Sequence, residues 1–172
     1  TPDSFGYVYP EPGISSNFWV VTEGGCGNAD ICDGAPVINE IDYDQPGTDA
    51  WEFVEIYNPT QSGVDLSELK LEFVNGTGDV VYRTVDLDLD LAVNKLDPGQ
   101  HLVVGSDALV ATLPSSTLSI AMGGTNRIEN GAPDGLRIVT KAGGTFVDGV
   151  AYEGAMPGTG ESTYAPTDDG TA

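Results

Sequence analysis

The segment 37–58 constrains the fold most strongly, because it contains two strand-like runs separated by a short acidic turn. Residues 51–58 are rich in aromatic and β-branched side chains, which favour a strand over a helix. Side chains alternate along an extended chain, so the odd-numbered residues of this run share one face and the even-numbered residues share the other. Gln45-Pro46-Gly47 has the chemistry of a turn. The segment therefore predicts a β-hairpin with a loop longer than two residues.

The rest of the chain also consists of short strand-like runs separated by turns. It contains 23 Gly and 11 Pro among 172 residues, and no segment has a helical period of useful length. This length suits one domain with a buried core. Further strands are expected at residues 69–73, 80–87, 101–104, 117–122, 136–140 and 146–152. Together these runs predict an all-β fold, a β-sandwich of about seven to nine short strands.

Composition divides the chain into three regions. Residues 1–35 are rich in Pro, Gly and Ser and form an N-terminal extension, which we call the arm. Residues 36–154 hold the regular strand signals, and residues 155–172 resemble a tail or linker. No run approaches the 18 apolar residues typical of a membrane-spanning helix, so we expect no direct insertion into a membrane.

The charge balance limits the partners of the chain. Twenty-seven acidic residues face six Lys and Arg, which gives a formal net charge of −21. Binding to phosphates needs basic side chains, so nucleic acid and anionic membranes are not expected as partners. The same charge favours solubility and the binding of cations.

Two cysteines, Cys26 and Cys32, lie close together in the glycine-rich sequence CGNADIC. Such a pair closes a small disulfide ring if the chain is secreted. Zinc sites usually need four ligands, and His101 is the sole histidine. Redox motifs use the closer C-x-x-C spacing. We therefore predict a structural disulfide.

Several motifs of the middle region resemble, in order and spacing, those of the lamin-tail domain family. They are Asn39-Glu40-Ile41, the run EFVEIYN at 52–58, Val64-Asp65-Leu66-Ser67, Leu96-Asp97-Pro98-Gly99, and Asp148, Val150 and Tyr152 of the closing strand. The resemblance implies an immunoglobulin-like sandwich of the secreted bacterial and archaeal type. It also implies a non-catalytic module, often attached to secreted nucleases, phosphatases or surface proteins.

Catalysis is not expected from the residues themselves. A Ser-His-acid arrangement would need His101 as its base, yet His101 begins an apolar strand after a turn, where a surface or packing role is favoured. No G-x-S-x-G motif and no phosphate-binding glycine loop occurs. Carboxylate pairs are numerous, but chance pairs are expected at this acid content. We therefore predict that the chain is not an enzyme.

Two acidic clusters offer oxygen ligands for calcium. The first surrounds the predicted hairpin loop and consists of Asp42, Asp44, Asp49 and Glu52. The second consists of Asp86, Asp88 and Asp90. Its spacing to Asp97 is similar to that of an EF-hand, but Leu91 stands where that loop requires Gly, and leucines alternate with the acids as in a strand. The hairpin cluster is therefore the better candidate calcium site.

Aromatic side chains of the arm suggest two alternatives. The residues concerned are Phe5, Tyr7, Tyr9, Phe18 and Trp19. Either they add strands to their own sandwich, or the arm pairs with an open sheet edge of a neighbouring subunit and builds a polymer. Asn75-Gly76-Thr77 is also a glycosylation acceptor in an expected turn.

These observations predict a secreted or cell-surface structural module without catalysis. Its partners would be further copies of itself or another surface protein, joined through sheet edges and the arm. The alternatives are a calcium-assisted adhesion module that binds a carbohydrate or protein, or an accessory domain of a secreted hydrolase. Calcium is the single cofactor that the sequence suggests.

Overall fold

The computed structural model describes residues 19–20, 35–88, 94–154, 156 and 163–164. These residues contain twelve short strands and one helical turn. The strands are β1 (Trp19–Val20), β2 (Val37–Asp42), β3 (Phe53–Tyr57), β4 (Val64–Asp65), β5 (Leu69–Asn75), β6 (Val80–Asp86), β7 (Lys95–Leu96), β8 (His101–Gly105), β9 (Leu118–Ala121), β10 (Asp134–Thr140), β11 (Phe146–Tyr152) and β12 (Thr163–Tyr164), and the helix α1 spans Asp107–Val110. The predicted all-β class is confirmed.

The strands form two sheets of five strands each. The first has the order β1-β2-β3-β8-β9, the second has the order β12-β11-β10-β5-β6, and β4 pairs with β7 separately. This arrangement confirms the predicted sandwich. The count exceeds seven to nine because β1, β4, β7 and β12 are two-residue strands, too short to give a periodic signal.

The predicted hairpin is formed by β2 and β3, which pair antiparallel. The even-numbered residues of its second run face the core, as Val54 and Ile56 are fully buried. The register shifts between Ile38 and Glu40, which keeps both Ile38 and Ile41 in the core although they are three positions apart. Alternation along this segment therefore sets which face of the first sheet is apolar.

The core lies between the two sheets. Residues of β3 and β8 pack with residues of β5 and β10 in one apolar cluster. Tyr43 and Tyr152 stack within it, with ring centroids 4.3 Å apart. Burying each large apolar side chain contributes about 1.5–3 kcal/mol before the loss of chain entropy is counted.

Asn58, at the end of the EFVEIYN motif, ties β3 to the neighbouring turns. Its Nδ2 donates to the carbonyl oxygens of Ser62 (2.8 Å) and Leu96 (2.7 Å), and its Oδ1 accepts from the amide of Thr60 (2.9 Å). The side chain is fully buried. This motif residue therefore has a structural role.

Part of the arm lies within the described residues. Trp19 pairs with Ile41, and Val20 pairs with Glu40, so β1 extends the first sheet of its own chain. This end of the arm follows the first of the two alternatives, a strand added to its own sandwich. Phe5, Tyr7, Tyr9 and Phe18, the cysteines Cys26 and Cys32, and Asp90 lie outside the described residues. No helix among the described residues is long and apolar enough to cross a membrane.

Candidate functional site

The hairpin loop and the loop before β10 meet at one end of the sandwich. We call the first, residues 43–52, the hairpin loop, and the second, residues 122–133, the β9–β10 loop. The hairpin loop folds on itself, because Asp49 Oδ1 accepts from the amide of Gln45 (2.9 Å) and Gln45 Oε1 accepts from the amide of Trp51 (2.9 Å). Gly47 has φ +96°, a conformation that glycine adopts readily. The carboxylates of the predicted calcium cluster are thereby held at this end, which we call the acidic end.

Glu52 anchors the β9–β10 loop. Its Oε1 accepts from the amides of Arg127 (2.9 Å) and Ile128 (2.7 Å), and its Oε2 accepts from the same Arg127 amide (2.7 Å). The side chain is fully buried. Burial raises the pKa of Glu52, and the hydrogen bonds from the backbone oppose that rise. Both oxygens of this carboxylate are therefore already occupied by backbone amides.

Asp44 and Asp49 share a partner on the opposite loop. Asn130 Nδ2 lies 3.3 Å from Asp44 Oδ1 and 3.4 Å from Asp49 Oδ2. The amide of Asn126 also donates to the carbonyl oxygen of Asp49 (3.0 Å). One side-chain amide and one backbone bond thus join the two loops, in addition to the bonds that Glu52 accepts.

Asp42 is a buried carboxylate of the acidic end with a strongly raised pKa. It is 4% exposed, and its Oδ1 has no hydrogen-bond partner. Burial raises its pKa to about 7, and Asp49, Glu52 and Asp44 add to the rise, while the side chain of Gln45 partly offsets it. An ionised Asp42 is therefore costly in this environment.

The predicted calcium ligands do not converge on one point. Within the described residues, no group of three or more His, Cys, Asp and Glu side chains is arranged to hold a metal ion. In the second cluster, Asp86 and Asp88 lie 3.8 Å and 3.9 Å from Lys141 Nζ. Calcium binding at either cluster stays a prediction, and in the first it would need oxygen ligands beyond the carboxylates.

An exposed aromatic ring lies in the hairpin loop. Trp51 is 48% exposed. Its amide is fixed by Gln45 within the same loop that carries Asp44 and Asp49. The acidic end therefore combines carboxylates with an aromatic surface.

The outer face of the first sheet carries a second acidic pair. Glu40 and Glu55 lie opposite each other on β2 and β3. Burial, Glu55 and Asp42 raise the pKa of Glu40 to about 7. His101, at the start of β8, lies 3.8 Å from Glu55 and stacks on Tyr57 with ring centroids 4.6 Å apart. His101 thus has the surface packing position expected from the sequence.

Asn75, the predicted glycosylation acceptor, ends β5. Its Nδ2 donates to Glu129 Oε2 (3.0 Å), and its Oδ1 accepts from the amide of Thr77 (2.9 Å). A glycan would be attached to Nδ2, the atom that donates to Glu129, and would leave that nitrogen one N–H. Glycosylation stays a prediction.

The roles of Asn130 and of the backbone of Arg127 and Ile128 were not predicted from the sequence. These residues lie more than 70 positions from their partners in the hairpin loop. No local pattern connects them. The run of polar residues before Pro133 signals a loop and does not indicate which strand it contacts.

Comparison with known families agrees with this geometry. A sequence model of the Lamin Tail Domain matches residues 33–154. No curated protein matches the chain. The matched region contains the whole of both sheets except the two terminal strands β1 and β12.

Proposed function

The chain belongs to the lamin tail domain family, and we propose that it is a non-catalytic, extracellular structural module that assembles through the edges of its sheets. The family supports a non-catalytic, immunoglobulin-like domain. The finer assignment rests on the surface of β6. Partners are further copies of the chain or another surface protein.

The observation that carries this proposal is the open edge of β6. This seven-residue strand ends the second sheet, and within the described residues it pairs with β5 alone. Val80 and Val81 at its start are 55% and 38% exposed. A long edge strand with exposed apolar side chains is a template for pairing with another chain. This edge is the best placed for assembly.

The arm supplies a matching segment. Phe5, Tyr7 and Tyr9 alternate in the sequence, as in a strand that presents its aromatic side chains on one face. Trp19 and Val20 pair with β2 of their own chain, and the proposed exchange uses the residues before them. We expect this segment to add a strand to β6 of a neighbouring copy of the chain. Repeated head to tail, this addition builds an open filament.

A lysine on the edge strand tests this proposal. Val81→Lys places a charge on the edge, a substitution that blocks strand pairing. Phe146→Lys is the matched control, because Phe146 has the same exposed fraction of 38% but lies on β11, away from the β6 edge. We expect the mass measured by light scattering to rise with concentration for the wild type and the control, and to stay monomeric for Val81→Lys. A wild type that is monomeric at every concentration would contradict the proposal.

A second candidate function is calcium-assisted recognition of a glycan or protein at the acidic end. The exposed Trp51 beside Asp44 and Asp49 favours it, because an aromatic platform next to a few polar groups is typical of a ligand site. Quenching of tryptophan fluorescence by a panel of oligosaccharides, with and without calcium, tests it. Trp51→Ala should abolish a saturable response, and a response that persists in this variant would argue against the site.

A further inference from the structure

Arg83 and Arg127 are two half-buried cations in a chain that carries 27 acidic and six basic residues. Among the described residues, no carboxylate oxygen lies within 4.0 Å of either guanidinium. The other basic residues have acidic neighbours, because Lys95 lies opposite Asp65 on the β4–β7 pair and the remaining three are ion-paired, namely Lys70, Arg137 and Lys141. Arg83 and Arg127 are therefore the exception in this acidic chain.

The two guanidinium groups border the same stretch of backbone. Arg83 lies on β6 and reaches the β9–β10 loop, where its Nε donates to the carbonyl oxygen of Arg127 (3.2 Å) and its Nη1 to that of Met122 (3.4 Å). The guanidinium of Arg127 lies close to Gly123, since a Cβ atom added to Gly123 would be 3.0 Å from Cζ of Arg127. Gly123 also has φ +103°, a conformation that suits glycine. We call Arg83, Arg127 and residues 123–125 the arginine site.

The arginine site has more hydrogen-bond donors than acceptors. A guanidinium carries five N–H groups, of which Arg83 uses two for the carbonyl oxygens. The side chain of Arg127 donates to no atom of the described residues, and because its Nε is buried, its Nη1 and Nη2 are the atoms that can meet a ligand. The backbone amides of residues 123–125 likewise have no acceptor within the part of the chain that the structure describes. Unused donors beside fixed positive charge favour an anion.

The local charge selects the class of anion. Glu52 accepts from the amide of Arg127, so one carboxylate already lies beside the two guanidinium groups. Two positive charges and one negative charge leave one positive charge, which a singly charged ligand neutralises. A phosphate dianion would add excess negative charge to a chain whose net charge is −21. A carboxylate also matches the planar fork of Arg, which binds it through two parallel N–H bonds.

We propose that Arg83 and Arg127 bind one carboxylate group, presented by the arm of a neighbouring copy that lies along β6. Arg83 belongs to β6, the strand at the open edge of the second sheet. The arm carries Asp3 and Glu11 on either side of its alternating aromatic residues. The source of the carboxylate rests on the proposed assembly through β6, whereas the arginine site itself does not.

Nuclear magnetic resonance of the isotope-labelled full chain, titrated with propionate, tests the arginine site. Propionamide, which has a similar size and no charge, is the control ligand. We expect saturable shifts of the amides of Gly123 and Gly124 with propionate and none with propionamide. Arg127→Gln should weaken propionate binding by about tenfold or more, because hydrogen bonds from a charged group are lost. Lys95→Gln, the matched control, removes one positive charge on the β4–β7 pair and should leave propionate binding unchanged.

Arg127→Gln is suited to this test because the side chain of Arg127 makes no hydrogen bond among the described residues, so the fold should be kept. The amide shifts of residues far from the site check this. Absence of saturable shifts in the wild type overturns the proposal, and so does equal weakening in Arg127→Gln and Lys95→Gln. Inorganic phosphate that binds about tenfold tighter than propionate overturns the assignment to a carboxylate.

A labelled peptide of residues 1–18 tests the source of the carboxylate, with fluorescence anisotropy as the readout of its binding to the full chain. We expect saturable binding that is weakened about tenfold by Arg127→Gln in the chain, and similarly by Asp3→Asn with Glu11→Gln in the peptide. Propionate binding without peptide binding overturns the arm as the source and leaves the arginine site. Peptide binding that Arg127→Gln does not change overturns the arginine site and leaves assembly through β6, so the two proposals fail separately.

Discussion

Replacing Asp42 by Asn should stabilise the protein at high pH and have little effect at low pH. Burial, together with Asp49, Glu52 and Asp44, raises the pKa of Asp42 from 3.8 to about 7 in the folded state. Between these values the folded state holds a proton that the unfolded state has lost. Stability contributed by Asp42 is therefore complete below 3.8, declines as the pH rises and is lost above about 7.

The magnitude follows from the size of the shift. A rise of about three pKa units corresponds to about 4 kcal/mol of destabilisation at pH values above 7. An amide at this position avoids the cost of a buried charge, but it keeps part of the cost of burying a polar group. We therefore expect Asp42→Asn to raise the free energy of unfolding by about 2 kcal/mol at high pH.

Urea unfolding in the presence of a chelator measures this effect. The wild type and Asp42→Asn are compared one pH unit above the folded pKa of about 7 and again near the unfolded value of 3.8. Asp88→Asn, an exposed aspartate beside Lys141, controls for the loss of one negative charge. Equal destabilisation by Asp42→Asn at both pH values would refute the reasoning, because it would show that the carboxylate is satisfied in the folded state.

Three further substitutions test the structural roles of polar residues, all by urea unfolding. Glu52→Ala leaves the buried amide of Ile128 and the partly buried amide of Arg127 unpaired and should cost about 2–5 kcal/mol. The matched substitution Glu55→Ala, at a partly exposed residue, should cost less than about 1 kcal/mol. Equal costs would contradict the anchoring role of Glu52. Asn58→Ala removes three hydrogen bonds of a buried side chain and should cost about 3 kcal/mol. A cost near zero would argue against the role of Asn58 in tying β3 to the neighbouring turns. Tyr152→Phe removes the hydroxyl that donates to the carbonyl oxygen of Glu129 (2.8 Å) and also bonds the side chain of Tyr82, and it should cost about 1–2 kcal/mol. An unchanged stability would show that this hydroxyl contributes nothing.

The hairpin was predictable because its signal is local. Aromatic and β-branched residues favour strands, and alternation assigns Val54 and Ile56 to one face without knowledge of the rest of the chain. Pro46 and Gly47 mark the loop between the strands. The order of the lamin-tail motifs then placed these strands in a sandwich, which the structure confirms.

The two-residue strands and the loop contacts were not predictable in this way. Pairing of Val64 with Leu96 joins residues that are distant in sequence, and each strand is too short to show a period. Glu52 has the same local signal as any acidic loop residue, and its burial against the backbone of the β9–β10 loop depends on the packed fold. Acid content alone therefore identified the acidic end but not the role of each carboxylate.

Assembly is the central claim, and light scattering coupled to size-exclusion chromatography tests it most directly. The full chain is measured over a wide range of concentrations, with millimolar calcium and again with chelator. We predict defined oligomers or polymers whose mass rises with concentration, and a loss of that mass in chelator would place metal at the joint between subunits. A monomer under both conditions would contradict assembly and leave the acidic end as the surface to be screened for ligands.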